Sequence, residues 1–296
     1  MKILFPCYPD NLKEVDSVFE NELAIAKTLG IDYFFFDHDK LVDDNKIKAQ
    51  GVKDHLDVLV TPSPLRNTDV VLRGWMLNPN QYRRLYECLK DNDLTLINTP
   101  EEYKACHYLP ESYKYVRDMA PKTKWFTEWD AQTMVRMKEY FKDKDMIIKD
   151  FVKSEKGIPG LFRLPKNITV LELLNKVEEF VEARGRLFNE GIVLREFVDL
   201  EKYNDEVNEW RAFLVGRKIA AIEQNSNIDI DRYPIPKVPE HVVKKAASRL
   251  FGISKFFTID FAEKKDGSWI VIETGDGQVS GLAPSQNPIG LYNCFV

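Results

Sequence analysis

Two carboxylates near the end of the chain stand where acids are costly to place. Asp260 lies at the centre of the apolar run FFTIDFAE, and Glu273 stands near the end of SWIVIET, thirteen residues later. The Asp266-Gly267 dipeptide between the runs is a strong hairpin signal, so they read as paired strands whose acids reach the same end. Burying either carboxylate without compensation is unfavourable by several kcal/mol. Such a pair suits magnesium, which takes one or two carboxylates and adds substrate phosphates. It equally suits solvent-facing strand acids or the partners of buried arginines, and the hairpin by itself leaves these readings open.

Cations of a matching kind lie upstream. Lys149 ends the β-run MIIK, and Lys153 opens a loop from Ser154 to Gly160. A lysine leaving a strand beneath such a loop can cover a triphosphate. Its ammonium supplies charge, and a glycine such as Gly157 lets backbone N–H groups approach the oxygens. A solvated strand-end lysine has the same sequence pattern. Arg211, in EWRAFLVG, has apolar neighbours and needs an anion, for which Glu209, Glu223 or a phosphate would serve. The stretch GIVLREFVDL, Gly191 to Leu200, is an apolar strand running into Arg195-Glu196-Phe197-Val198. Extended backbone there can meet the edge of adenine while apolar side chains cover its faces. A plain central strand reads the same.

Other chemistries lack their residues. There is no G-x-x-x-x-G-K-[ST] run for a P-loop and no G-x-S-x-G nucleophile elbow. Gly275, Gly277 and Gly281 imitate a dinucleotide fingerprint, but their spacing is one residue too long and no ribose-binding acid follows before Val296. The four histidines and four cysteines show neither metal spacing nor a dense disulfide framework. The 42 basic and 47 acidic residues give a formal net charge of −5, which argues against general nucleic-acid binding. No run approaches the roughly 20 apolar residues that span a bilayer, and no targeting segment is evident, so a cytoplasmic protein with reduced thiols is expected.

The elements that must position these residues follow from periodicity. KILFPCY, IDYFFFD, DVLVTP, DVVLRGW and LTLIN read as strands, with helices predicted at Val15 to Leu29 and Gln81 to Lys90. This alternation predicts an α/β lobe with a mostly parallel sheet. A helical stretch follows from Pro100 to Met119. A small α+β lobe is then built from MIIKDFV, a helix at Val170 to Ala183, and GIVLREFV. The remainder alternates the strands WRAFLVG and KIAAIEQ with a helix at His241 to Phe251 and the final hairpin.

In order, a strand lysine, a glycine loop, a hinge with Arg-Glu-aromatic-Val, a Glu-x-Arg strand and an Asp/Glu hairpin resemble the ATP-grasp superfamily. The resemblance spans roughly residues 97 to 282 and is most specific in GIVLREFVDL, EWRAFLVGRKIAAIEQN and TIDFAEKKDGSWIVIETGDG. It points to the divergent branch that includes the cell-division-cycle protein assisting assembly of the initiation factor that carries initiator tRNA, with phage and bacterial relatives. It implies an N-terminal α/β lobe (1–99) before an ATP-grasp domain (100–296), whose small lobe covers about 120–198 and large lobe about 199–296.

Carried over by residue, the resemblance implies that Lys149 contacts the ATP phosphates and that Glu196 and Val198, with Phe197 between them, present backbone to adenine. Arg211 would meet the γ-phosphate side or the reacting carboxylate, Lys218 would add a phosphate contact, and Asp260 and Glu273 would hold Mg2+. The position two residues after the second acid, often Asn in the family, is Gly275 here, with Asp276 as the candidate substitute. The implied function is ATP-dependent ligation: a carboxylate of a small molecule, peptide or protein becomes an acyl phosphate and is attacked by an amine or similar nucleophile. The alternative is a non-ligating ATP-binding assembly factor using the same pocket. Tyr113, Tyr115 and Arg117 are weaker candidates for the acceptor side.

Overall fold

The computed structural model describes residues 1–42, 68–154, 157–282 and 286–296. Strand β1 (Lys2–Tyr8) buries five consecutive residues, Ile3 to Cys7, as a strand covered on both faces must. Beside it, β3 (Tyr33–Phe36) and β4 (Thr68–Leu72) pair in parallel, and β5 (Leu94–Leu96) pairs in parallel with β4. The predicted strand DVLVTP lies outside the described residues. The helix expected from Val15 starts later. The chain turns back after Tyr8 as a short antiparallel strand, β2 (Asn11–Val15), and the Asp16 carboxylate accepts the Val18 N–H before α1 (Glu20–Thr28) begins. Helix α2 (His38–Val42) follows β3, and α3 (Pro79–Lys90) packs on the sheet behind an Asn78/Gln81 capping box.

The single helical stretch expected from Pro100 is two helices, α4 (Pro100–His107) and α5 (Leu109–Val116). Pro110 has no N–H to donate back to Cys106, so the chain breaks at the extended Tyr108 and restarts.

The middle of the chain forms an antiparallel sheet in the order β6-β9-β7-β8. Its strands are β6 (Thr123–Phe126), β7 (Met146–Asp150), β8 (Arg163–Leu164) and β9 (Ile192–Glu196). Side chains alternate across it. Met146, Ile148, Ile192 and Leu194 pack under α6 (Ala131–Tyr140) and α7 (Val170–Arg184), which leaves Ile147, Lys149 and Arg195 for the other face. After the small hairpin of β10 (Lys202–Tyr203) and β11 (Glu206–Val207), a second antiparallel sheet runs β13-β12-β14-β15. Its strands are β12 (Glu209–Val215), β13 (Lys218–Gln224), β14 (Phe256–Glu263) and β15 (Trp269–Asp276). Helix α8 (Glu240–Leu250) covers one face with Val243, Ala246, Ala247 and Leu250. The chain closes with the short α9 (Ile289–Tyr292).

The first and last parts of the chain share one core. Ile3, Phe5 and Val71 of the parallel sheet pack in the same cluster as Phe213, Phe256, Tyr292 and Phe295. A buried ion pair sits at this junction: Arg73 Nε lies 2.7 Å from Glu22 Oε2, and the Tyr292 hydroxyl donates to the same carboxylate at 2.7 Å. Arg73 also donates to the carbonyls of Gly277 and Ser280, so every charged partner is satisfied. No helix among the described residues is long and apolar enough to cross a membrane.

Removing one partner of a buried pair leaves the other uncompensated and destabilises by about 3–5 kcal/mol. Arg73→Met should therefore lower the unfolding free energy by about that much in urea titrations, because Glu22 would stay buried with only the Tyr292 hydroxyl. A loss below about 1 kcal/mol, the range of exposed pairs, would show that the junction is hydrated.

Candidate active site

A cavity of about 660 Å³ opens between the two antiparallel sheets. Its floor on one side is the free face of the β6–β9 sheet, where alternation has turned Ile147, Lys149 and Arg195. Lys153, Ser154 and Gly157 line it from the loop, whose start is shaped by Asp150. One oxygen of this fully buried carboxylate accepts the N–H groups of Val152 and Lys153, and the other accepts Arg184 Nε at 3.1 Å. The chain thus reverses at once after Lys149, and Ser154 bridges back to it. On the opposite side the cavity meets Glu209 of β12 and Ile272 and Glu273 of β15.

Lys149 and Glu273 line this cavity, and Asp260 and Arg211 continue from Glu273 across the adjacent strands of its sheet. The register places Arg211 opposite Asp260, and Asp260 opposite Glu273, so the three form a row on one face. Arg211 donates bidentately to Asp260, Nε to Oδ1 at 2.8 Å and Nη2 to Oδ2 at 2.7 Å. The anion required by Arg211 is therefore Asp260, neither Glu209 nor Glu223. Lys149 Nζ reaches Glu273 Oε1 at 3.4 Å across the gap between the sheets. Burial alone would push the Glu273 carboxyl up, but Lys149, Lys153 and Arg211 hold it down at about 2. Burial lowers the Lys149 ammonium against the opposing pull of Glu273. The Arg211 guanidinium is raised: burial opposes its charge, and the Asp260 carboxylate outweighs it. His107, at the end of α4, is pushed down to about 4 by burial and by Lys153 and Lys149, so it is neutral near pH 7.

Arg195 is the cation that the sequence reading used only as part of a hinge. It is buried, its Nη groups donate to the carbonyls of Ile272 and Val271, and its Nε has no hydrogen-bond partner among the described residues. Burial lowers it to about 10, against the pull of Glu273. A charged residue inside the apolar run GIVLREFV was the available signal.

Glu196, Phe197 and Val198 line the same cavity. The Glu196 carboxylate pairs with Lys144 at 2.9 Å, and its N–H is donated to Lys122 O at 2.8 Å. Phe197 donates its N–H to Asp145 O, and its ring lies 3.8 Å from the Arg163 guanidinium. The Val198 N–H has no partner among the described residues.

Two expected residues lie elsewhere. Lys218 pairs with Val215 at the far end of β12, four residues from Arg211, so it is not brought into the row. Asp276 follows Glu273 by three residues and therefore points to the opposite face of β15. It is fully buried there, accepting from Asn98 Nδ2 at 2.5 Å and from the Gln278 N–H at 2.9 Å. It cannot replace a ligand at Gly275. A Cβ at Gly275 would meet Thr258 Oγ1 at 2.8 Å and Ser280 Oγ at 2.9 Å, two hydroxyls that hydrogen-bond each other. The Tyr113 hydroxyl accepts the Thr123 N–H, and its ring packs edge-on against Trp125.

No group of three or more His, Cys, Asp or Glu residues able to hold a metal occurs among the described residues. The fitting donor set is the pair Asp260 and Glu273. Magnesium requires no more protein ligands than these when phosphates and waters complete its shell. Arg211 takes one lone pair from each Asp260 oxygen and leaves others for a cation.

Comparison with known proteins adds a family and a fold. The family model described as ATP-grasp domain, R2K clade family 3, matches residues 112–290. No curated protein sequence matches the chain. Among solved structures, D-cycloserine synthetase DcsG is 12% identical with a TM-score of 0.62, over 100% of this chain and 98% of that one. The ATP-grasp ligase PsnB, solved with a minimal precursor, Mg and ADP, is 12% identical with a TM-score of 0.58, over 99% and 96%. The macrocyclase MdnC from Microcystis aeruginosa MRC, bound to its precursor peptide MdnA, is 13% identical with a TM-score of 0.58, over 98% and 97%.

The position of Asp276 makes stability depend on pH. Burial raises its carboxyl from 3.8 to about 7 despite the hydrogen bonds from Asn98 and Gln278. The folded chain then keeps a proton that the unfolded chain releases. This stabilisation is complete below the unfolded value and is lost as pH rises through about 7. Between pH 5 and pH 8 the wild type should lose unfolding free energy relative to Asp276→Asn, beyond any constant offset from the altered hydrogen bonds. A difference that stays flat across that window, in parallel denaturant titrations, would mean that Asp276 is ionised throughout.

Proposed function

The chain belongs to the ATP-grasp domains of R2K clade family 3, and on that premise we propose that it is a Mg-ATP-dependent carboxylate–amine ligase forming ADP. The observation that carries this reading is the meeting of Lys149 and Glu273 in one cavity, with Asp260 and Arg211 next to Glu273 in the same row. The adenine lies against Glu196, Phe197 and Val198, with the Val198 N–H as a donor to the ring. Lys149, with Lys153 and the Gly157 loop, holds the phosphates between a small lobe at about 120–198 and a large lobe at about 199–296. Residues 1–99 precede the grasp.

Asp260 and Glu273 hold Mg2+, which neutralises phosphate charge when bound. Arg211 and Lys149 stand on either side of that pair, facing the γ-phosphoryl group, where preorganised cations offset the charge spread over its oxygens. A carboxylate oxygen of the acceptor attacks the γ-phosphorus and ADP leaves. The resulting acyl phosphate is then consumed by the second substrate. His107, neutral beside the lysines, adds no further charge to the site. The likeness to PsnB and MdnC, each solved with a precursor, supports a peptide or protein as the acceptor class. A reaction in the cytoplasm, where ATP is abundant, fits this role.

Binding of Mg-ATP at about 100 times its dissociation constant should stabilise the fold by about 2.7 kcal/mol, read as a rise in melting temperature. Lys149→Met and Arg211→Met should each weaken ATP binding by about ten- to a hundredfold, the worth of a charge-assisted contact. Adenosine, which lacks phosphates, should bind both variants as it binds the wild type. Calorimetric titrations with the two ligands decide the matter: equal losses would assign these residues to the fold. ATP binding without ADP release, across a panel of carboxylates and amines, would favour a non-ligating assembly factor.

A further inference from the structure

Phe197, the residue after β9, is held from two directions by one acid. Its N–H donates at 2.8 Å to the carbonyl of Asp145, the residue before β7. Its ring lies under the guanidinium of Arg163, the first residue of β8, whose Cζ stands 3.8 Å from the ring centroid. That guanidinium is itself fixed by the Asp145 side chain, because Nε and Nη2 donate to Oδ2 at 2.9 and 2.6 Å. The other oxygen, Oδ1, accepts the Lys166 N–H at 3.0 Å, so the carboxylate cannot turn without breaking a bond to the backbone. These bonds, those from Arg163 foremost, hold the Asp145 carboxyl below its usual value and keep it ionised at neutral pH. From the same turn, Lys144 pairs with Glu196 at 2.9 Å. Lys144 and Asp145 thus fix the two residues that lead into Val198.

Folding stability does not account for this arrangement. The Arg163 side chain is 55% exposed, and exposed ion pairs contribute little. The consequence is geometric. Arg163 lies opposite Ile147, and Ile147 opposite Arg195, which puts Arg163 on the face of the sheet that borders the cavity. Arg163 does not line that cavity, whereas Phe197 does, as does Phe162 immediately before Arg163. The guanidinium therefore acts on the cavity through the ring of Phe197. A planar guanidinium stacked on an aromatic face restricts the ring to one orientation. Ordering a side chain at the moment of binding weakens affinity, and a ring ordered beforehand avoids that loss.

Resting on the nucleotide reading above, we propose that Asp145 and Arg163 form a clasp that presets Phe197 for the base. Arg163 is then a positioning residue for adenine that does not touch the nucleotide. The cations Lys149 and Lys153 meet the phosphates elsewhere in the cavity, and the clasp leaves them unchanged. Ligands that carry the base depend on Arg163, and polyphosphates without a base do not.

The test titrates the full chain and its variants by calorimetry with adenosine, Mg-ATP and Mg-tripolyphosphate. Arg163→Leu should weaken adenosine and Mg-ATP by the same factor, about fivefold, the worth of an exposed cation–π contact. Mg-tripolyphosphate should keep its affinity within about twofold. Asp145→Asn, which loosens the guanidinium without removing it, should show the same selectivity with a smaller loss. In a Phe197→Leu background, Arg163→Leu should add less than about twofold, because its effect passes through the ring. Melting temperatures should stay near that of the wild type, since the pair is exposed. Unchanged adenosine binding in Arg163→Leu, an equal loss for tripolyphosphate, or full additivity with Phe197→Leu would each overturn the clasp while leaving the nucleotide site in place. A wild type that binds none of the three ligands would overturn the nucleotide reading, and the clasp with it.

Discussion

Arg211, Asp260 and Glu273 lie side by side on three adjacent strands, and Lys149 reaches the last of them from a different sheet. Charges at this depth persist only when each has a partner, because removing one leaves the next uncompensated. The row therefore ties together the two sheets that flank the cavity. Lys149 is 7% exposed and Glu273 33% exposed, so the link stands at a water-accessible mouth instead of in a sealed core. A polyanion entering there can exchange places with the carboxylates as the partner of the two cations. The Lys149–Glu273 pair that links the two sheets is the one an incoming phosphate would compete with.

The row exists because β15 carries one residue too many for a regular ladder. Asp260 faces Glu273, yet Phe261 faces Val271, so Ile272 is the extra residue of a bulge. Without that insertion, strict alternation would not set both acids opposite each other while keeping Phe261 and Val271 in the core. A bulge disturbs the ladder hydrogen bonds, and here the Arg195 guanidinium donates to the carbonyls of Val271 and Ile272. A side chain from β9 thus supports the backbone of β15 at the point where Glu273 must be aimed. This gives Arg195 a positioning role that does not require contact with any substrate.

Much of the architecture was legible in the sequence because it rests on local periodicity. The closing hairpin follows from two apolar runs around Asp266-Gly267, and the parallel sheet from uninterrupted apolar runs such as KILFPCY. The meeting of Lys149 with Glu273 could only be inferred from the order of elements, since 124 residues separate them. The misplacement of Asp276 was avoidable: three residues along a strand reverses the face, and that parity is written in SWIVIETGD. Lys218 fails for a different reason. Its position relative to Arg211 depends on where the β12–β13 turn falls, and Gly216-Arg217 puts Lys218 directly after it, opposite Val215. The strand at Asn11–Val15 was hidden because its alternation is mostly polar and exposed, which resembles the start of a surface helix.

Gly275 connects the departure from the family pattern to the shape of the site. An asparagine there would need the volume now held by the Thr258 and Ser280 hydroxyls, which a Cβ alone would approach to 2.8–2.9 Å. Both hydroxyls are committed: they bond each other, and Ser280 Oγ also lies 2.8 Å from the Asp276 carbonyl. Those bonds fix the turn after β15, whose Gly277 and Ser280 carbonyls receive Arg73 and whose Gly281 carbonyl receives Arg211. A larger side chain at 275 would thus displace the segment that Arg73 anchors to the N-terminal lobe. The row has two carboxylates and no third polar side chain at 275 because the space beside Gly275 is occupied by the hydroxyls that fix this turn.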